Sequence, residues 1–133
     1  QRVLIYFMLW IGLTLISTSR ISAQDNEMAT INKAFENSEW AKLSNYCQET
    51  ICLSTQLSQG NYSKMQARYI LADFFERNPV LQTKVIKSDK ISEGFYFSIL
   101  QSETTNKTFH IYYTIQEKKG TYLINEIHIK EKI

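Results

Sequence analysis

A chain of 133 residues with one proline and four glycines has room for one domain and shows no linker, repeat or low-complexity stretch. Its formal charge of +2 is not a binding patch, because the 15 basic residues include Arg2 and Arg20, and without that pair they only match the 13 acidic ones. A nucleic-acid partner is therefore not expected: displacing counterions from phosphates needs a clustered basic surface, whereas Lys118-Lys119 reads as a hairpin tip and Lys130-Glu131-Lys132 as a fraying end.

In chain order, the first feature is the apolar run Val3–Ile16, with Thr14 its one clearly polar member. It is short for a comfortable membrane span of about 20 residues and fits the apolar core of a secretory signal. Arg2 reads as the remnant of a positive n-region, with residues missing before Gln1, and Ile21-Ser22-Ala23 as a cleavage site. The expectation is a signal peptide over residues 1–23 and a single exported domain over 24–133, periplasmic or secreted, with no stable membrane anchor after cleavage. An uncleaved anchor helix is the alternative.

The spacing of Met28, Ile31, Ala34 and Phe35 predicts a helix over Asn26–Asn37, capped by Asp25 or Asn26. A second short helix is expected from Ser38, with Trp40, Leu43, Tyr46 and Cys47 at helical spacing, and then a strand over Thr50–Gln56. Gln59-Gly60-Asn61 is turn chemistry. Cys47 and Cys52, the two cysteines, flank the link into that strand. Export would place them where disulfides persist. They are read as free thiols, with a Cys47–Cys52 disulfide as the alternative; zinc would need more ligands.

Ser63 followed three residues later by Gln66 is a capping box, in which each side chain satisfies the other's orphan backbone N–H. Ala67, Ile70, Leu71, Phe74 and Phe75 then form one apolar stripe, and Pro79 ends the helix by disfavouring helical backbone at Asn78. From Gln82 the period falls to two, which predicts strands over Gln82–Ser88, Gly94–Glu103, Lys107–Glu117 and Thr121–Lys130. The run Phe95–Leu100 is apolar on both faces, so periodicity does not orient it. Lys118-Lys119-Gly120 reads as a three-residue loop that sets Glu117 opposite Thr121. That register turns Phe109, Ile111, Tyr113, Ile115, Leu123, Asn125, Ile127 and Ile129 inward. It turns His110, Tyr112, Tyr122, Glu126 and His128 outward.

Helix, short helix, strand, long helix and four antiparallel strands make an α+β plan. The order resembles the nuclear transport factor 2-like, or cystatin-like, cone, with N-terminal helices packed on a curved antiparallel sheet. More narrowly, "INKAFENSE", "KLSNY", "GNYSKMQARYILADFFERNP", "TFHIYYTI" and "GTYLINEIHI" resemble an exported bacterial family known as domain of unknown function 4783. The resemblance implies fold and export. That family has no assigned activity, so it implies no catalytic residue, and its pattern does not include the paired cysteines.

The candidate sites follow from the register. Tyr113 and Asn125 are the polar groups facing in from the last hairpin and, with Phe74 and Phe109, are the candidate lining of an apolar pocket, expected as a hydrogen-bonded pair. Neither is a competent base at neutral pH, so no catalytic residue is assigned, and no cofactor is expected. No Gly-x-Ser-x-Gly, His-Glu-x-x-His or phosphate-cradling glycine loop is present. His110 opposite His128, with Glu126 diagonal, forms a weak metal candidate on the outer face. The outward Tyr112 and Tyr122 favour a partner surface there, and Tyr69 is a further exposed aromatic. The expected function is a non-catalytic binding or protein-interaction module whose partner is an unidentified protein, a homodimer being one form. A carrier of a small apolar ligand is the alternative, and an enzyme with an unrecognised site is a third reading.

Overall fold

The structure, a computed structural model, describes residues 22–133. The apolar run Val3–Ile16 and the expected leader, apart from its last two residues, lie outside the described residues. Helix α1 spans Ala23–Glu36 and α2 Trp40–Asn45. Strand β1 covers Cys47–Ser54, β2 Gln59–Ser63 and helix α3 Lys64–Arg77. Strands β3 (Val80–Ser92), β4 (Phe95–Thr104), β5 (Thr108–Lys118) and β6 (Thr121–Glu131) complete the fold. The six strands form one open sheet in the order β2-β1-β6-β5-β4-β3, with the helices on one face. Among the described residues no helix is long and apolar enough to cross a membrane.

Each helix forms for a readable reason. Helix α1 buries Met28, Ile31, Ala34 and Phe35 as its spacing requires. Its N-cap is Ser22, not Asp25 or Asn26, and the Ser22 hydroxyl donates to the Asp25 carboxylate at 2.6 Å instead of capping the backbone. Helix α3 starts on the expected box: Gln66 N–H donates to Ser63 Oγ at 3.2 Å, and Ser63 N–H donates to Gln66 Oε1 at 3.0 Å. Its stripe buries Ala67, Leu71, Phe74 and Phe75.

The sheet departs from expectation in two places. Gln59-Gly60-Asn61 is not a turn but the start of β2, an edge strand antiparallel to β1; the chain reverses earlier, where Thr55 N–H donates to Ser58 O at 2.7 Å, and β1 runs parallel to β6. The last hairpin also closes differently. Lys119 and Gly120 both have positive φ, at 53° and 81°, and Lys118 pairs with Thr121. This is a two-residue turn whose twist suits the flanking strands, not a three-residue loop. A bulge then follows, so Ile115 pairs with Ile124 but Thr114 pairs with Glu126, leaving Asn125 as the extra residue.

The consequences for facing residues are direct. Beyond the bulge, Tyr113 pairs with Ile127 and Ile111 with Ile129, so those isoleucines face the helices as expected. Before it, the phase inverts: Ile124 is buried in the core and Tyr122 packs beside Tyr96 with ring centroids 5.9 Å apart. Tyr122 is therefore not on the outer face. His110 sits opposite Lys130, and His128 opposite Tyr112, so the two histidines are not directly paired.

The core lies between the helices and the inner sheet face. Phe35 stacks on Tyr113 at 5.7 Å and Trp40 on Phe75 at 4.8 Å, while Phe74 meets Phe109 edge-on at 5.1 Å. Strand β4 is now oriented: Ser98, Leu100 and Ser102 point inward beside Tyr113, Ile111 and Phe109, and Phe97 and Ile99 point outward. The buried serines are satisfied across the sheet, Ser98 with Ser88 at 2.8 Å and Ser102 with Thr83 at 3.0 Å.

Candidate functional site

The inner face is occupied by packing. Phe74, Phe109 and Tyr113 are buried and engaged with other rings. The Tyr113 hydroxyl donates to Asn32 Oδ1 at 2.6 Å, a partner supplied by α1. Asn125 does not pair with Tyr113, because the bulge carries it to the other side of the sheet, where its Oδ1 accepts from the Thr114 hydroxyl. The expected pocket set of Tyr113, Asn125, Phe74 and Phe109 is thus divided between three core rings and one outer-face amide. Burial pushes the Tyr113 phenol well above its ordinary range, so it keeps its proton at neutral pH.

The cysteines are also divided. Both are free thiols. Cys47 faces the core opposite Ile124 and Cys52 the outer face opposite Glu126, so the strand turns them apart and no Cys47–Cys52 bridge forms. Burial drives the Cys47 thiol up to about 12, against a small opposing effect of Lys64.

The outer face has different contents. Three rings lie in a row across β4, β5 and β6: Phe97 stacks on Tyr112 at 5.8 Å, and Tyr112 lies 6.1 Å from His128. All three are half-buried by their neighbours on a face that no helix among the described residues covers. Beside the row is a shallow depression of about 440 Å³ lined by Ile99, His110, Tyr112, His128 and Lys130. Polar groups around it are satisfied locally: His110 Nε2 lies 3.3 Å from Gln101 Oε1, and His128 Nε2 lies 3.5 Å from Glu126 Oε1. His110 and His128 thus have separate partners, and among the described residues no group of three His, Cys, Asp or Glu side chains is placed to hold a metal ion. Burial, then the nearby Glu126 carboxylate, raises the Tyr112 phenol.

The register across the sheet sorts this face into transverse rows. One runs Lys84, Gln101, His110, Lys130; the next Lys87, Ile99, Tyr112, His128, Ser54; the third Asp89, Phe97, Thr114, Glu126, Cys52. Sequence reasoning placed His110, Tyr112, His128 and Glu126 outward but missed Ile99 and Gln101 as their neighbours. It also missed Asn32, which lies on the edge of the α1 stripe and carried no signal of its role.

The family described as "Domain of unknown function (DUF4783)" matches residues 28–130. The chain belongs to this family. A solved DUF4783 family protein from Bacteroides ovatus is 27% identical, with a TM-score of 0.74 over 79% of this chain and 94% of that one. Another, from Bacteroides fragilis, is 26% identical, with a TM-score of 0.72 over 85% of this chain and the whole of that one (100%). An uncharacterised protein with a cystatin-like fold from Caulobacter vibrioides, 7% identical, shares the fold with a TM-score of 0.61 over 80% of this chain and 84% of that one. The DUF4783 cone is thus nuclear transport factor 2-like, or cystatin-like, as its element order implied. A comparison with curated proteins finds no match.

Proposed function

We propose that this DUF4783 protein is an exported, non-catalytic interaction module whose working surface is the outer face of the sheet. The observation that carries the reading is the half-exposed ring row Phe97–Tyr112–His128 beside a depression edged by Lys130. Aromatic side chains offer large contact area at small cost in side-chain freedom, and they concentrate in interface cores. Export is supported by the apolar run Val3–Ile16 and by the small residue Ala23 that follows it. A non-catalytic role is supported by Tyr113, which is buried in the core with its hydroxyl committed to Asn32 and is not a base at neutral pH. A carrier of a small apolar ligand is the weaker reading, because the rings that would line its pocket pack on one another.

The test replaces Tyr112 with a photo-crosslinking amino acid in the exported protein and compares it with the same replacement at Tyr69, which is exposed on α3. A discrete adduct at Tyr112, with none at Tyr69, is the expected outcome. Adducts at Tyr69 alone would move the working surface to the helices and defeat the reading.

A further inference from the structure

The edge strand β3 repeats one pattern every five residues. Its register against β4 is broken three times, and the residues left without a partner are Leu81, Ile86 and Ile91. Each follows a residue paired with Thr104, Leu100 or Tyr96 and precedes one paired with Glu103, Ile99 or Phe95. A bulge resets the alternation of faces, so these positions, which would otherwise fall on opposite faces, share one relation to the sheet. All three are exposed, at 69%, 49% and 47%, and Val85 beside Ile86 is 48% exposed. These four are half of the eight large hydrophobic side chains exposed among the described residues, so exposed apolar surface is concentrated on this edge.

Bulges and lysines are ordinary means of keeping an edge strand from pairing with another chain. That purpose is met here, because a ladder interrupted every five residues gives an added strand no continuous run of backbone partners. It does not account for the apolar residues at the bulges, since a merely protected edge would carry polar side chains where it protrudes most. A lipid surface, unlike a strand, needs no register. Lys84 and Lys87 flank Val85-Ile86 and, among the described residues, neither has an ion-pair partner, whereas Lys90 is paired with Glu93. The strand carries three lysines against one acidic residue, Asp89, so its charge favours an anionic surface.

We propose that the β3 edge is a peripheral membrane contact, seated on an anionic lipid surface with Leu81, Val85, Ile86 and Ile91 at the acyl boundary and Lys84 and Lys87 at the headgroups. The contact is separate from the outer face and leaves the ring row open to a protein partner. From Leu81 to Ile91 the row spans roughly 30 Å at about 3.3 Å per residue. Interfacial segments bind at a shallow depth of about 5–10 Å, within reach of side chains of this size. Strand twist turns both ends away from a plane laid on the middle, so Val85 and Ile86, with a lysine on either side, carry the largest share. The lysine stems lie along apolar surface while their ammonium groups meet lipid phosphates. Four partly exposed side chains and two free cations give reversible attachment, not an anchor.

The experiment is vesicle co-sedimentation of residues 24–133, a span without the apolar run Val3–Ile16, whose own lipid affinity would mask the edge. The solved Bacteroides fragilis member, covered in full by this chain, shows a domain of this extent folding alone. Vesicles of equal phosphatidylglycerol and phosphatidylcholine should bind it, and phosphatidylcholine alone at least about tenfold less. Ile86→Ser should lower the partition coefficient about fivefold, and Leu81→Ser, Ile86→Ser and Ile91→Ser together about tenfold or more. Lys84→Gln with Lys87→Gln should lower it about tenfold or more and remove most of its dependence on salt. Leu57→Ser with Met65→Ser removes two side chains more exposed than Ile86 from elsewhere on the domain and should leave partitioning unchanged. Circular dichroism of each variant separates loss of binding from loss of fold. No binding to the anionic vesicles up to roughly millimolar lipid overturns the inference and returns the edge to a partner protein. Binding that survives the triple serine exchange, or that falls equally with the Leu57 and Met65 exchanges, overturns it as well.

Discussion

The two faces of one sheet, built from alternating residues of the same strands, have been put to opposite uses. On β5, Phe109, Ile111, Tyr113 and Ile115 are sealed under the helices, while His110 and Tyr112 between them are half-exposed. The centre of the inner face is filled: rings meet rings, serines meet serines, and the Tyr113 hydroxyl has Asn32. The outer face keeps apolar rings half in water and, among the described residues, holds Lys130 without an ion-pair partner. A side chain buried on both sides can only hold the fold, whereas one left half-covered can change its surroundings when a partner arrives. The difference assigns stability to one face and recognition to the other.

The sharpest way to break that assignment is to truncate one ring on each face. Phe109→Ala removes a fully buried ring that meets Phe74, and should cost about 3–5 kcal/mol. Tyr112→Ala, three residues further along β5 and on the outer face, should cost about 1 kcal/mol or less. Urea unfolding at neutral pH measures both. Equal losses would mean that the outer row is part of the core and that the faces are not divided as described.

Titration sharpens the same contrast through the cysteines. The Cys47 thiol is held up to about 12 by burial, against an ordinary value of 9.0. Its folded-state value is raised, so the unfolded chain loses this proton first. The associated stability is complete below pH 9 and drains away as the pH rises toward 12, at no more than about 1.4 kcal/mol per pH unit for one proton. Between pH 9 and 10 the unfolding free energy should therefore fall, and Cys47→Ala should flatten that slope even though it lowers stability at pH 7. An unchanged slope would show that Cys47 ionises freely in the folded state. By the same geometry Cys52, on the outer face, should react first with a thiol reagent.

A smaller effect is expected where α3 begins. Ser63→Ala removes the side chain that accepts from Gln66 N–H and should cost about 1 kcal/mol, read by thermal or urea unfolding. This cap aims the stripe of Phe74 and Phe75 at the inner face, so its loss acts on the stability face alone. Photo-cross-linking from position 112 in Ser63→Ala should match that of the parent at temperatures where both are folded.

How much of this could be read in advance depended on whether the deciding force was local. The Ser63–Gln66 box and the five-residue stripe behind it are local, and they formed as spaced. So did the four antiparallel strands, to within a few residues of their ends. Strand β2 was not legible, because a Gly60-centred turn motif is drawn into a strand only by its pairing with β1. The parallel pairing of β1 with β6 joins residues far apart in sequence and left no periodic trace. Orienting β4 needed its partner: Phe97 and Ile99 are apolar on a strand with apolar residues on both faces, and only the Ile99–Tyr112 pairing turns them outward. The candidate site failed at one point, Asn125. A single extra residue in β6 moved it from the inner face to Thr114 and swept Tyr122 and Ile124 the other way.

The turn that starts this displacement offers the smallest test and the most specific one. Lys119 is held at φ 53°, a left-handed conformation that costs an ordinary L residue about 1–2 kcal/mol and that asparagine tolerates better. Asn-Gly is also the preferred pair for a two-residue turn of this kind, and Gly120 already occupies the second position at φ 81°. Lys119→Asn should thus stabilise the domain by up to about 1 kcal/mol, seen as a higher urea midpoint with an unchanged slope. It should leave the bulge at Asn125, and so the outer row, untouched. The alternative three-residue loop would give Lys119 an ordinary helical φ and only Gly120 a positive one. Lys119→Asn would then gain nothing, and Asn125 would return to the inner face. A null result would therefore undo the register on which the division between the two faces depends.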